Sequence, residues 1–332
     1  GDINLGSNVN SSVMNNAGTI TGNITMNNAS QLFTFNGGNL NGNINGAGSI
    51  LVNSDSVTNG NIGNSTSLTS LTIAQSKILD AETNYNSIRA SNIILNEDSV
   101  LLIRSGALVG AVNGSSANRG TFNMLFSSDT TLSALIGQTN SIAALNLNSN
   151  LMAININSSI GASQVNIDGG GSLSLNSSAI INGDVVIGDD TSLFLQNDSS
   201  VNGSIRSLNN GNGFLEVNSN SIINRASEIG SESNRLANIV IRSNSSLTTT
   251  AALRSDGIVI SSNSSITSSS EINGSISLAS NSILNLQNGA VVRGQINPSG
   301  FLSSTGTINS SGSVNLFTPI GVNNSSVENI NF

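Results

Sequence analysis

The sequence predicts an all-β fold, a single-stranded right-handed parallel β-helix (β-solenoid) of roughly 16 coils of about 20 residues each. Three observations predict it. One phase repeats along the whole chain, the apolar runs are only three to five residues long, and Asn, Ser and Gly fill the corners between them.

The phase is visible in three stretches, TSLFLQNDSSVNGSI (191–205), NSILNLQNGAVVRGQI (281–296) and DSVLLIRSGALVGAV (98–112). Each reads as a polar start, a short strand, a polar corner, a small-residue turn and a second short strand. Leu173 and Leu175 recur as Leu193 and Leu195 and then as Leu215 and Val217, while Ile181, Val201 and Ile223 form a second column. Ile73 and Ile93 keep the same interval. The spacing drifts a little, as Asn244-Ser-Ser-Leu, Asn263-Ser-Ser-Ile and Asn281-Ser-Ile-Leu show.

The corners explain the Asn-Gly pairs. Asn-Gly between β-branched residues is ordinarily the strongest short signal for a two-residue hairpin, and it occurs twice in INGDVVIGDDTSLFLQNDSSVNGSI (181–205). Yet Gly183 and Gly203, Gly274 and Gly294, and the stretches ITGNI (20–24) and LNGNI (40–44) keep the same offset as the apolar columns. Isolated hairpins of such short strands would bury little and expose long edges. If each repeat is one winding, every aliphatic column stacks on itself at about 4.8 Å, and corner amides can form ladders. At that spacing the windings predict a rod near 75 Å long, roughly.

Composition fits one architecture over residues 1–332. The chain is 37% hydrophobic and only 8% charged, so it is too apolar for a solvated coil although Asn and Ser make up roughly a third of it. Aromatics at 3% suit a narrow interior of aliphatic side chains. Two places interrupt the pattern. Residues 76–92, SKILDAETNYNSIRASN, hold the only Lys and the only Tyr and read as a longer polar corner; residues 305–332 lose the apolar columns, carry Pro319, and read as an irregular end or a truncated coil.

A net charge of −8 leaves no basic field for phosphates, which argues against nucleic acid as a partner. No apolar run approaches the length that spans a bilayer, and the first residues lack a signal-peptide pattern, so the chain reads as a mature piece or an excised fragment. The absence of Cys fits the cytosol, and equally a protein exported unfolded through a pore.

With neither His nor Cys, a His base, a Cys nucleophile and a zinc site built on either are excluded. Carboxylate, Arg and Lys chemistry remains, and no cofactor is expected. Asp168, Asp184, Asp189 and Asp190 cluster, with Asp168 about one period from Asp189 and Asp190. Stacked corners carrying Asp168, Asp189 and Asp190 are candidate calcium ligands, or an acid and base pair acting on a glycosidic bond. Solvated turn carboxylates are the plainer reading, because no aromatics or basic residues accompany them to hold a sugar. Arg235 and Arg254, Arg206 and Arg225, and Glu216 and Arg235 are each spaced by 19 residues, which suggests short charge ladders. Lys77, Asp80, Glu82, Tyr85 and Arg89, in the polar corner, are the candidate partner-contact residues.

The rhythm of IGNSTSLTSLTI (62–73), IGQTNSIAALNL (136–147) and IGSESNRLANIVI (229–241), alternating with ITGNI- and INGSI-type corners, resembles the passenger domains of Gram-negative autotransporters. More narrowly, it is similar to the rickettsial surface cell antigens, which include the outer-membrane antigens A and B. The resemblance implies a β-helical adhesin on the extracellular side of the outer membrane, delivered by a C-terminal β-barrel translocator that this chain lacks. Host-cell surface proteins or glycans are then the expected partners. It implies no individual site residue. Two other functions stay open: a β-helical polysaccharide lyase or hydrolase, and a purely structural solenoid that self-associates through its Asn-rich faces.

Overall fold

The computed structural model describes residues 1–7, 12–15, 17–82, 87–104, 107–176, 178–196, 198–218, 220–223, 228–298, 306–317, 319–321 and 326–332. These residues contain strands, turns and bends and no helix. The chain divides into two compact units, residues 1–152 with 158–165, and residues 153–157 with 166–332. Each unit is a parallel β-solenoid.

In the second unit a winding carries three short strands, such as Ser192–Gln196, Ser200–Val201 and Ile205–Ser207. The predicted register holds residue for residue. Leu173 pairs with Leu193 and Leu175 with Leu195, and these pair in turn with Leu215 and Val217. The column continues in parallel through Ile239, Ile258, Ile276 and Ile296. All seven side chains from Leu173 to Ile296 are buried, with exposures of 1% or less. A second column runs Val185, Ile205, Ile229, Leu253, Ile272, Val292. A third runs Leu247, Ile266, Leu284, Ile308. Burying each such side chain contributes about 1.5–3 kcal/mol relative to leaving it in water. Because the side-chain period of a strand is two, the residues between them face outward.

The first unit repeats the plan. One column runs Phe33, Ile50, Leu71, Ile93, Val112, Ile136, Ile160, and another runs Ile24, Ile44, Ile62, Ile88, Leu108. Two expectations need correction here. Ile93 stacks on Leu71, and it is Leu95 that stacks on Ile73, because the winding that leads into this strand is longer than the average repeat. The interior is not purely aliphatic either: Phe33, Phe35 and Phe122 are fully buried, the first two edge to face with ring centroids 4.6 Å apart.

The Asn-Gly pairs are corners between parallel strands. Ile20 pairs with Leu40 and Ile24 with Ile44, which places Gly42 directly over Gly22. A β-carbon added to Gly42 would run into the Gly22 carbonyl, and one added to Gly60 would meet the Gly42 carbonyl. Glycine is required here because backbone touches backbone. Beside it the asparagines form a ladder. Asn43 donates its backbone N–H and its Nδ2 to Asn23 Oδ1 at 3.0 and 3.2 Å, and Asn61 donates the same two groups to Asn43 Oδ1 at 2.8 and 3.3 Å. Asp2 accepts from Asn23 at one end, and Ser87 donates to Asn61 at the other.

A second corner type alternates with this one. Asp98, Asp190, Asp198, Asn244, Asn263 and Asn281 all take positive φ, between 54° and 63°, the left-handed region that Asn and Asp tolerate best. The residue after each is a buried hydroxyl, in order Ser99, Thr191, Ser199, Ser245, Ser264 and Ser282. Ser99 Oγ donates to Asn96 O at 2.9 Å and Ser282 Oγ to Ala279 O at 2.7 Å. Each buried polar atom of this kind is thereby satisfied within its own turn.

Within 305–332 the described parts keep the winding register. Thr307–Ser310 pairs with Ile283–Leu286 and with Asn329–Asn331, and Leu316 pairs with Val292.

Candidate functional site

The polar corner of 76–92 is divided by the structure. Lys77 sits in the turn before the strand Ile78–Ala81 and is partly exposed, its backbone N–H donating to Ala74 O at 3.2 Å. Asp80, in that strand, accepts from Arg104 Nη2 at 2.8 Å across one winding. Its other oxygen, Oδ1, is buried without a hydrogen-bond partner. Glu82 and Arg89 are exposed on either side of the corner, while Tyr85 lies outside the described residues. The longer corner shows in the asparagine ladder, where the step from Asn61 to Ser87 is 26 residues and the step from Asn43 to Asn61 is 18.

The acidic cluster is not assembled as a ligand set. Asp189 accepts from Asn209 Nδ2 at 3.0 and 2.9 Å and from Asn212 Nδ2 at 3.0 Å, so its carboxylate already ties its own corner to the corner one winding on. Asp190 is the left-handed corner residue, and Asp168 Oδ1 accepts from the Gly169 N–H at 2.7 Å. Asp184 Oδ1 accepts from the Ser204 N–H at 2.8 Å. Among the described residues no three carboxylates gather closely enough to hold a metal ion.

Charge ladders are present, with partners other than those the 19-residue spacing suggested. Arg254 reaches Glu228 at 3.2 Å and Glu271 at 2.8 Å, Glu271 also accepts from Arg293 Nε at 2.9 Å, and the Arg293 guanidinium lies 4.8 Å from the centre of the Phe317 ring. Arg235 instead donates to the carbonyls of Ser255 and Asn273, at 2.7 and 2.8 Å, with its Nε 3.4 Å from Asp256. Glu216 pairs with Arg242, not Arg235. Arg225 lies outside the described residues.

Sequence reasoning missed one arrangement. Leu193, Leu195, Leu215 and Val217 point inward, so Phe194, Gln196, Glu216 and Asn218 face outward. Register places Ser174, Phe194 and Glu216 in one outward column, with Gln196 beside Asn218 in the next. Arg242 Nε donates to Glu216 Oε2 at 2.6 Å. Glu216 is 14% exposed and Arg242 53%, so the carboxylate is screened while the guanidinium edge faces water. Phe194 is partly exposed, and these side chains bound a groove of about 510 Å³. The available signal was parity: Phe194 lies between two inward leucines and so takes an outward position.

No family model, curated protein or solved structure matches this chain.

Proposed function

We propose that this chain belongs to an autotransporter passenger displayed on the extracellular side of a bacterial outer membrane, where it acts as a non-enzymatic adhesin or extended display scaffold. The observation that carries the reading is the parallel winding itself. Its outward positions form rows of amides, hydroxyls and paired charges at one fixed spacing, which suits contact spread over a surface more than chemistry focused at a point. Windings whose partners are the neighbours just made can also form one after another as a chain emerges from a pore. A lyase or hydrolase built on Asp168, Asp189 and Asp190 gains no support from their positions, since Asp168 accepts from the adjacent Gly169 N–H, Asp189 accepts from two amides of the next winding and Asp190 sets a corner.

The test is adhesion. Beads coated with the folded chain are expected to bind cultured animal cells saturably, and soluble chain is expected to compete them off. Binding no greater than that of albumin-coated beads would remove the adhesin reading and leave the scaffold alone.

A further inference from the structure

We propose that the Phe194 groove is a glycan-binding site that takes a short uncharged oligosaccharide lying along the stack of windings. This deepens the adhesin reading and rests on it. Four observations carry the assignment.

The first is the ring. Phe194 is partly exposed on an outward sheet face and lines the groove together with Gln196, Glu216, Asn218 and Arg242. A partly exposed aromatic ring beside polar groups offers a platform for the C–H face of a pyranose, in the amphipathic manner in which aromatic rings act at recognition surfaces.

The second is the rim. Gln196 and Asn218 lie side by side in the neighbouring column, and each amide offers both a donor and an acceptor. That pairing matches vicinal hydroxyls, which also donate and accept. Glu216 adds an acceptor and Arg242 adds donors.

The third is charge. Glu216 and Arg242 neutralise one another across the groove, and the chain as a whole carries −8. A neutral sugar meets no penalty there, whereas a polyanionic glycan meets an unfavourable overall field.

The fourth is dimension. From Ser174 to Arg242 the groove crosses four windings, and the winding spacing of about 4.8 Å is close to the length of one pyranose unit. A linear chain of two to three sugars would therefore span the groove from Ser174 to Arg242.

The experiment uses the full chain and three uncharged probes, cellotetraose, maltotetraose and a poly-N-acetyllactosamine tetrasaccharide, with heparin tetrasaccharide as the anionic comparison. Saturation-transfer NMR and calorimetry read binding. At least one neutral probe should bind in the millimolar to micromolar range. Phe194→Ser should weaken it at least tenfold, and Asn218→Ala, which removes an exposed rim amide, should weaken it at least threefold. Both positions face outward, so circular dichroism and the urea midpoint should match the parent and confirm that the variants fold. Adhesion of coated beads is measured on the same variants. Loss of sugar binding together with reduced adhesion supports the site. Sugar binding unchanged in both variants, or binding of heparin alone, overturns it. If no neutral probe binds while the parent still adheres, the groove assignment fails and the adhesin reading stands; adhesion lost by Phe194→Ser without any sugar binding would assign the groove to a protein partner and equally overturn the proposal.

Discussion

Two ladders, one in each unit, solve the same problem with different chemistry. In the first unit Asp2, Asn23, Asn43, Asn61 and Ser87 stack through side-chain amides and backbone N–H groups. In the second, Glu228, Arg254, Glu271 and Arg293 alternate in sign. An amide is donor and acceptor at once, so a single residue type can repeat without limit. Charges cannot do this: like charges stacked at the winding spacing repel, and the sequence must alternate acid and base. The asparagine ladder therefore fixes register with residues identical from winding to winding, and the charge ladder fixes it with residues that differ at every step.

The comparison can be broken most sharply at the backbone beneath the amides. Gly42→Ala places a β-carbon against the Gly22 carbonyl and should cost about 3 kcal/mol, the upper range for overpacking. Gly6→Ala has open space around it and should change stability by less than about 0.5 kcal/mol. Urea unfolding of the two variants would separate them; equal midpoints would mean that the corners are not in backbone contact.

Next is the amide itself. Asn43→Leu removes the donor to Asn23 and the acceptor for the Asn61 N–H, with an expected loss of about 2 kcal/mol. Because neutral hydrogen bonds carry the effect, the difference from the parent should be the same at low and high salt. Arg254→Met should cost less, about 1–2 kcal/mol, since the guanidinium is 15% exposed and its carboxylates are partly solvated. That loss should shrink by molar salt, where the screening length falls to about 3 Å. Opposite salt responses would reverse the assignment of the two ladders. The smallest effect belongs to the exposed corner, where Lys77→Ala should stay within about 0.5 kcal/mol.

The two ladders also account for what could be read from the sequence. Aliphatic columns such as Leu173, Leu193 and Leu215 repeat in type and phase, so their register was legible without coordinates. The Asn-Gly corners were legible for the same reason, once the period outweighed the local hairpin signal. The charge ladder was hidden because alternating sign defeats a search for similarity, and because its steps of 26, 17 and 22 residues absorb variable corners. The acidic cluster misled in the opposite way. Asp190 is a corner residue chosen for backbone conformation, and a carboxylate selected for positive φ cannot be told from a ligand by composition. The Phe194 groove gathers residues from four successive windings, a grouping visible only when register is known to the residue.

The claim on which all this depends is in-register parallel stacking, and nitroxide pairs test it most directly in a chain without cysteine. Ser172 and Ser192 are paired, and both lie next to buried leucines, so they face outward. Spin labels on Ser172→Cys with Ser192→Cys should sit on backbones about 4.8 Å apart and show strong dipolar broadening, whereas Ser172→Cys with Gln196→Cys should be about 14 Å apart and show little. Strong broadening in the second pair and weak broadening in the first would mean antiparallel hairpins, and would contradict the solenoid.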